Sequence, residues 1–172
     1  EAVRPSGRNR RAHRRCRSGL EQQVRQIGHA RLAQALSGQG EINLHLAKLD
    51  EAERLGQEAL VLARKTNELK ALAQALDVLA GVHDRTGRHQ LAREEQEEIL
   101  TLRKRMDDQG NQLVAHLNLA WTNIELGEHD AARQHLREAG SLLSRTDSEF
   151  HGVMFVRMAA NWAASTVRPE SA

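Results

Sequence analysis

Three segments of the chain align without a gap at a spacing of 40 residues, and this periodicity constrains the fold more than any single motif does. Asp-Glu-Ala-Glu-Arg at 50–54 matches Gln-Leu-Ala-Arg-Glu at 90–94 and Asp-Ala-Ala-Arg-Gln at 130–134. Ala52, Ala92 and Ala132 coincide, as do Gly40, Ala80 and Ala120, then Ala47, Gly87 and Gly127, and downstream Leu62, Leu102 and Leu142. Small residues recur where one helix would cross another closely, Gly or Ala recurs at a turn, and Leu recurs on a buried face.

Within a unit the period is helical. Leu69, Leu72, Ala73, Leu76, Leu79, Ala80 and His83 follow spacings of three and four and make one apolar face. Gly87 ends that helix, since Gly is favoured just past a helix C-terminus. A second helix runs through Leu91, Ala92, Glu95, Ile99 and Leu102, with Arg93, Glu94, Glu97 and Arg103 on its other face. Each unit is therefore a helix hairpin that cannot bury its apolar face alone and must stack on a neighbour.

Composition supports an all-α fold. The only prolines are Pro5 and Pro169, and the apolar content is 24 Ala and 23 Leu against 2 Phe, 2 Trp and no Tyr. Such a chain has high helix propensity and lacks the β-branched and aromatic runs of strands. The apolar stretches, such as Ala59 to Ala63, fall far short of the roughly 20 residues of a membrane span. Nothing at the N-terminus reads as a secretory signal. The single cysteine, Cys16, excludes an internal disulfide and fits a reducing, cytoplasmic setting. Residues 1–19 hold seven Arg and one acid, while the remainder is net acidic, so the pI of 9.1 describes the N-terminal segment and not the whole chain.

These residues resemble the tetratricopeptide repeat, which pairs two antiparallel helices with small residues where they pack, a Gly before the second helix and an Ala early in it. Leu119-Ala120, Gly127, Ala132, Leu136 and Ala139 carry the pattern, and Leu79-Ala80, Gly87 and Ala92 follow it less fully. The usual unit is about 34 residues with aromatic side chains at several packing positions. Here the unit is 40, and those positions hold Asn43, His83 and Asn123, or Leu49, His89 and His129. Units of this length resemble those of large bacterial transcriptional regulators. HEAT-like repeats share the length, but the Gly/Ala turn and paired small residues favour the tetratricopeptide pattern. The resemblance implies a right-handed α-solenoid of about eight helices.

The register extends both ways. Ala12 lies 40 residues before Ala52, and Ala12, Cys16, Gly19, Leu20, Val24 and Ile27 form an apolar stripe. The expected organisation is a frayed arm at 1–7, the second helix of a truncated repeat at 8–27, full repeats at 28–67, 68–107 and 108–147, a terminal helix at 148–166, and a tail at 167–172. A chain starting at Glu1 on a half-repeat is expected to be cut from something longer.

No catalytic constellation emerges. His83 and His89, like His129 and His135, are six apart, which is not the i, i+4 spacing of a helical zinc site. Gly38-Gln39-Gly40 lies inside a helical pattern and lacks the Lys-Ser/Thr of a phosphate loop. Cys16 sits among arginines but also on the apolar stripe. The expectation is a non-catalytic protein with no metal and no cofactor.

The resemblance places the first helix of each hairpin along a concave groove. Register then assigns to it Gln34, Ser37, Glu41 and His45; Gln74, Asp77, Gly81 and Asp84; Val114, Leu117, Asn118, Trp121, Ile124 and Glu125; and Met154, Arg157, Asn161 and Ser165. The groove begins polar and acidic and becomes apolar. Trp121 stands out because its counterparts are Glu41, Gly81 and Asn161, so the repeat does not itself require an aromatic there. It either anchors a partner or is covered by the terminal helix. Asn118 reads either as a donor to a peptide backbone or as a polar spacer, and the acidic half favours a basic or mixed peptide. The expected function is a peptide- or protein-binding module, the sensory or oligomerising part of a larger bacterial regulator. Its partners would be a protein or peptide in the groove, another copy, or adjoining domains of a longer chain. A free-standing scaffold or peptide receptor is the alternative. Nucleic-acid contact through the basic segment ranks behind both, since Arg10, Arg11, Arg14, Arg15 and Arg17 read first as a solvated face.

Overall fold

The computed structural model describes residues 7–66, 68–145 and 149–167, with side chains described at 19–66, 68–145 and 151–165. Among the described residues there are seven helices and no strand: α1 Gly7–His45, α2 Leu49–Ala63, α3 Leu69–Arg85, α4 His89–Arg105, α5 Gln109–Glu125, α6 His129–Leu143 and α7 Glu149–Val167. Consecutive helices pack as antiparallel hairpins, with α1 also against α3 and α7 also against α5. This is an all-α solenoid.

The turns follow from backbone chemistry. Lys48 N–H donates to Asn43 C=O, Arg88 to His83, Asp108 to Arg103 and Glu128 to Asn123, while Ala47, Gly87, Asp107 and Gly127 donate to the carbonyls three residues back. These paired bonds satisfy the carbonyls that a helix end leaves open, and they require a left-handed residue at the turn. Gly87 and Gly127 supply it at φ 77° and 75°, but Ala47 at 57° and Asp107 at 53° adopt it with a side chain. Asp108 then caps α5 by accepting from Asn111 N–H at 3.2 Å.

The core is built from small residues at crossings and Leu between them. Ala52, Ala92 and Ala132 are all buried, as are Gly40, Ala80 and Ala120. Leu76, Ile99, Leu102 and Leu119 form one cluster across α3, α4 and α5. Leu113, Leu117, Leu136 and Ala139 form a second, on which Met154, Phe155, Met158 and Trp162 of α7 pack.

One boundary differs from expectation. Residues 8–27 and the first helix of repeat 1 are not two helices but a single one, α1, which is why seven helices are seen and not eight. The only interruptions to propensity there are isolated glycines, Gly19, Gly28, Gly38 and Gly40. Each costs about 1 kcal/mol, which falls short of stopping a helix without a left-handed turn or a proline. From Ala30 onward α1 is buried against its neighbours, whereas Leu20, Val24 and Ile27 are exposed. The expected arm at 1–7 lies outside the described residues except for Gly7, the tail at 167–172 except for Val167, and the side chains of Arg10, Arg11, Arg14, Arg15 and Arg17 also lie outside them.

Candidate functional site

α3 and α5 do not pack closely along their backbones, and α4 lies behind the space between them. The result is a groove of about 850 Å³ running from Ser37 and Glu41 on α1, past Gln74, Asp77 and Asp84 on α3, to Val114, Asn118 and Trp121 on α5. Six of the ten principal expected site residues therefore line one concavity. Trp121 is partly exposed at its α5 wall.

The other four do not line it. Leu117, expected on the groove, is fully buried in the cluster under α7, and Met154 packs onto that same cluster. α7 approaches α5 from the far side, so it covers the Leu117 face and turns Met154 inward. Ile124 is half-buried and Arg157 is exposed on α7, outside the groove lining. The continuous apolar patch expected around Trp121 reduces to Trp121 and Val114.

The floor carries residues of a second helix, which register had not assigned to the groove. Gln96, Ile99 and Arg103 of α4, a second helix, reach the groove through the space between α3 and α5. The Arg103 guanidinium, only 7% exposed, donates to Asp77 Oδ2 at 2.7 Å and to Asp108 Oδ2 at 3.3 Å. Burial pushes the Asp77 carboxyl above its ordinary value, and the opposing Arg103 offsets only part of that push. With 41% of the Asp77 side chain open to the groove, water limits the push. Burial also acts on Asp108, but its hydrogen bonds from Asn111 and the charge of Arg103 outweigh it and hold the carboxyl low.

A second network adjoins the first. Gln96 Nε2 donates to Asp84 Oδ2 at 2.8 Å. The Thr122 hydroxyl lies 3.0 Å from Asp84 Oδ1 and 2.9 Å from Gln96 Oε1, tying α5 to both helices of the preceding hairpin. His89 Nδ1 stands 3.4 Å from Asp84 Oδ1. Arg103 Nε and Gln74 Oε1 are buried at this floor without a protein hydrogen-bond partner. A signal for these residues was present in the register. Asp77 stands where Ser37 and Leu117 stand, Asp84 where Leu44 and Ile124 do, Gln96 where Gly56 and Leu136 do, and Arg103 where Ala63 and Leu143 do. Polar groups at positions that are small or apolar elsewhere in a repeat mark a built feature.

His83, His116 and His135 make contacts inside the fold. His83 is buried with Nδ1 2.7 Å from Glu95 Oε2 and Nε2 3.6 Å from Glu53 Oε1, and Arg88 holds Glu53 bidentately at 2.9 and 2.8 Å. Burial raises Glu95 against the pull of His83, whereas the Arg88 hydrogen bonds lower Glu53. His116 and His135 meet Nδ1 to Nδ1 at 3.0 Å, so one ring donates and the other accepts. Burial, then His135 and Lys104, lowers His116 to about 4. Among the described residues no group of three or more His, Cys, Asp or Glu is placed to hold a metal ion. No helix among them is long and apolar enough to cross a membrane.

Stacked helix hairpins around an open polar groove, with charged side chains mutually paired, define a class of protein that works by presenting a surface. A family model described as tetratricopeptide repeat matches residues 31–105 and again 72–143, two overlapping matches displaced by about one hairpin. The chain belongs to the tetratricopeptide-repeat family, a non-catalytic repeat family that generally mediates protein–protein interaction. Compared with curated proteins, the chain has no significant match.

Proposed function

We propose that the groove between α1, α3 and α5 holds a peptide segment of a protein partner, and that the chain is the sensory or oligomerising part of a larger bacterial transcriptional regulator. The observation that carries the groove reading is the placement of Trp121 on one wall, opposite the polar floor of Asp77, Asp84, Gln96 and Arg103. An aromatic ring at a position the repeat leaves free gives a ligand an apolar anchor, and such anchors dominate interface energetics. Glu41, Asp77, Asp84 and Asp108 against Lys70, Arg85 and Arg103 leave the lining slightly acidic, and two of the three cations are engaged: Arg103 by acids, Arg85 by the Leu44 carbonyl. A basic or mixed peptide suits this surface better than an acidic one. The regulator context rests on the 40-residue unit and its resemblance to such proteins.

Affinity capture on the intact protein, repeated with Trp121→Ala, tests the groove. The expected result is loss of the captured partner, with helicity and melting unchanged. An equal yield at equal affinity from a folded Trp121→Ala protein overturns it. A partner that is itself a component of transcriptional control supports the regulator reading.

A further inference from the structure

Asp77, Gly81 and Asp84 stand four and three residues apart on α3, which puts them in one stripe along the helix, and all three line the groove. Gly81 leaves bare backbone between two carboxylates. Glu41, Gly81 and Trp121 share one register position in successive repeats, so an acid on α1, a gap on α3 and an aromatic ring on α5 meet along the groove. The residue after Trp121, Thr122, reaches Asp84 Oδ1 at 3.0 Å, which brings the α5 wall beside that carboxylate.

The acids differ in how they are paired. Asp77 and Asp108 share the Arg103 guanidinium. Asp84 has only 14% of its side chain exposed, yet it is held by the neutral Gln96 amide at 2.8 Å and the Thr122 hydroxyl, with His89 Nδ1 at 3.4 Å. Among the described residues no arginine or lysine pairs with it, and the adjacent Arg85 donates instead to the Leu44 carbonyl. Glu41 is 69% exposed and faces His45 at 3.9 Å. Burial above all, and then the charges of Glu41 and Asp108, push the Asp77 carboxyl up against the pull of Arg103, so negative potential converges on this stretch. A carboxylate as withdrawn from water as Asp84 is stabilised by a cation far better than by dipoles alone.

We propose that this stretch is an arginine subsite, in which the guanidinium of an arginine in the bound peptide lies over Gly81, stacks on Trp121 and donates to Asp84, with Glu41 as the second anion. The subsite presupposes the peptide reading of the groove and specifies the residue the peptide must carry. A guanidinium is planar and weakly hydrated, so its face stacks on the indole while its in-plane N–H groups reach carboxylates at the ring edge. An ammonium is compact, strongly hydrated and has no face to stack. A carboxylate offers about four acceptor sites, and Gln96 and Thr122 take one each on Asp84, which leaves room for a ligand donor.

The test is a positional-scanning library of decapeptides, N-acetylated and C-amidated so that no terminal charge enters, applied to the immobilised full chain. Peptides retained by the parent and lost on Trp121→Ala are expected to share an arginine. Replacing that arginine by citrulline, which keeps the shape and removes the charge, should weaken binding at least about tenfold, and replacing it by lysine about threefold or more. Asp84→Asn should cancel the preference for arginine over citrulline with helicity and melting close to the parent. Glu41→Gln, at an exposed side chain outside the core, should reduce the same preference and serves where Asp84→Asn does not fold. Retained peptides with no shared arginine, still lost on Trp121→Ala, overturn the subsite and leave the groove reading standing. Retention of no peptide by the parent overturns the groove reading and the subsite with it. Citrulline or lysine binding as tightly as arginine overturns the subsite, as does an arginine preference that survives both Asp84→Asn and Glu41→Gln.

Discussion

Arg103 of α4 donates to Asp77 of α3 at 2.7 Å with its guanidinium withdrawn from water, so an ion pair joins the two helices of one hairpin at the floor of the groove. Removing a buried partner strands the charge left behind, but Asp77 and Asp108 both retain access to water. Arg103→Ala is expected to cost about 2–3 kcal/mol, below the range for a fully buried pair. Arg103→Met, which refills the volume, should cost less than half as much. Urea denaturation of the two variants checks the order. An Arg103→Ala protein as stable as the parent contradicts a structural role for the pair.

Ala47 occupies the turn that Gly87 and Gly127 occupy in the next two hairpins, at φ 57°. A side chain in the left-handed region costs about 1–2 kcal/mol, against which glycine adds entropy to the unfolded chain. Ala47→Gly is expected to stabilise by about 0.5–1 kcal/mol. Gly87→Ala should destabilise by a similar or larger amount. Thermal melting of both reads the opposite signs.

Gly40 and Gly28 lie on the same helix with different surroundings. A Cβ on Gly40 would sit 2.8 Å from Val78 Cγ1, a β-branched side chain with little freedom to move, whereas a Cβ on Gly28 meets nothing within 4 Å. Gly40→Ala is expected to lose about 1–2 kcal/mol despite its better helix propensity. Gly28→Ala should gain up to about 1 kcal/mol. Equal effects at the two positions would show that α1 and α3 do not cross as closely as described.

The His116 and His135 rings predict a pH dependence. Burial lowers both, His116 to about 4, and Lys104 adds to the effect on each while Glu138 opposes it. A base whose folded value lies below its unfolded value of about 6.5 binds protons preferentially in the unfolded state. Its contribution is complete above pH 6.5 and drains away as pH falls toward 4. Between pH 7.5 and 5 the expected loss from His116 is about 1–2 kcal/mol. Glu53 and Asp108, held low by their partners, also lose stability on acidification. The His116 share is therefore the difference between the parent and His116→Gln in urea denaturation at the two pH values. Parallel pH profiles would contradict it.

The sequence by itself determined the helical hairpins, their pairing and the turns at Ala47, Gly87 and Gly127. These are local or periodic properties: a 3.6-residue apolar stripe, a glycine that tolerates positive φ, an alanine at a crossing. Repetition states each of them three times. Register also brought Gln74, Asp77, Asp84, Val114, Asn118 and Trp121 to one groove, because equivalent positions on stacked helices face the same way.

Only the tertiary structure decided which neighbours those positions meet. Leu117 shares a helix and nearly a face with Trp121, yet it is buried because α7 closes over one side of α5 and leaves the other open. Gln96 and Arg103 belong to a second helix and reach the groove because α3 and α5 stand apart in front of them. Helix periodicity fixes the direction of a side chain about its own axis. What lies in that direction depends on distances between helices far apart in the chain, and those are set by the volumes of all the side chains packed between them.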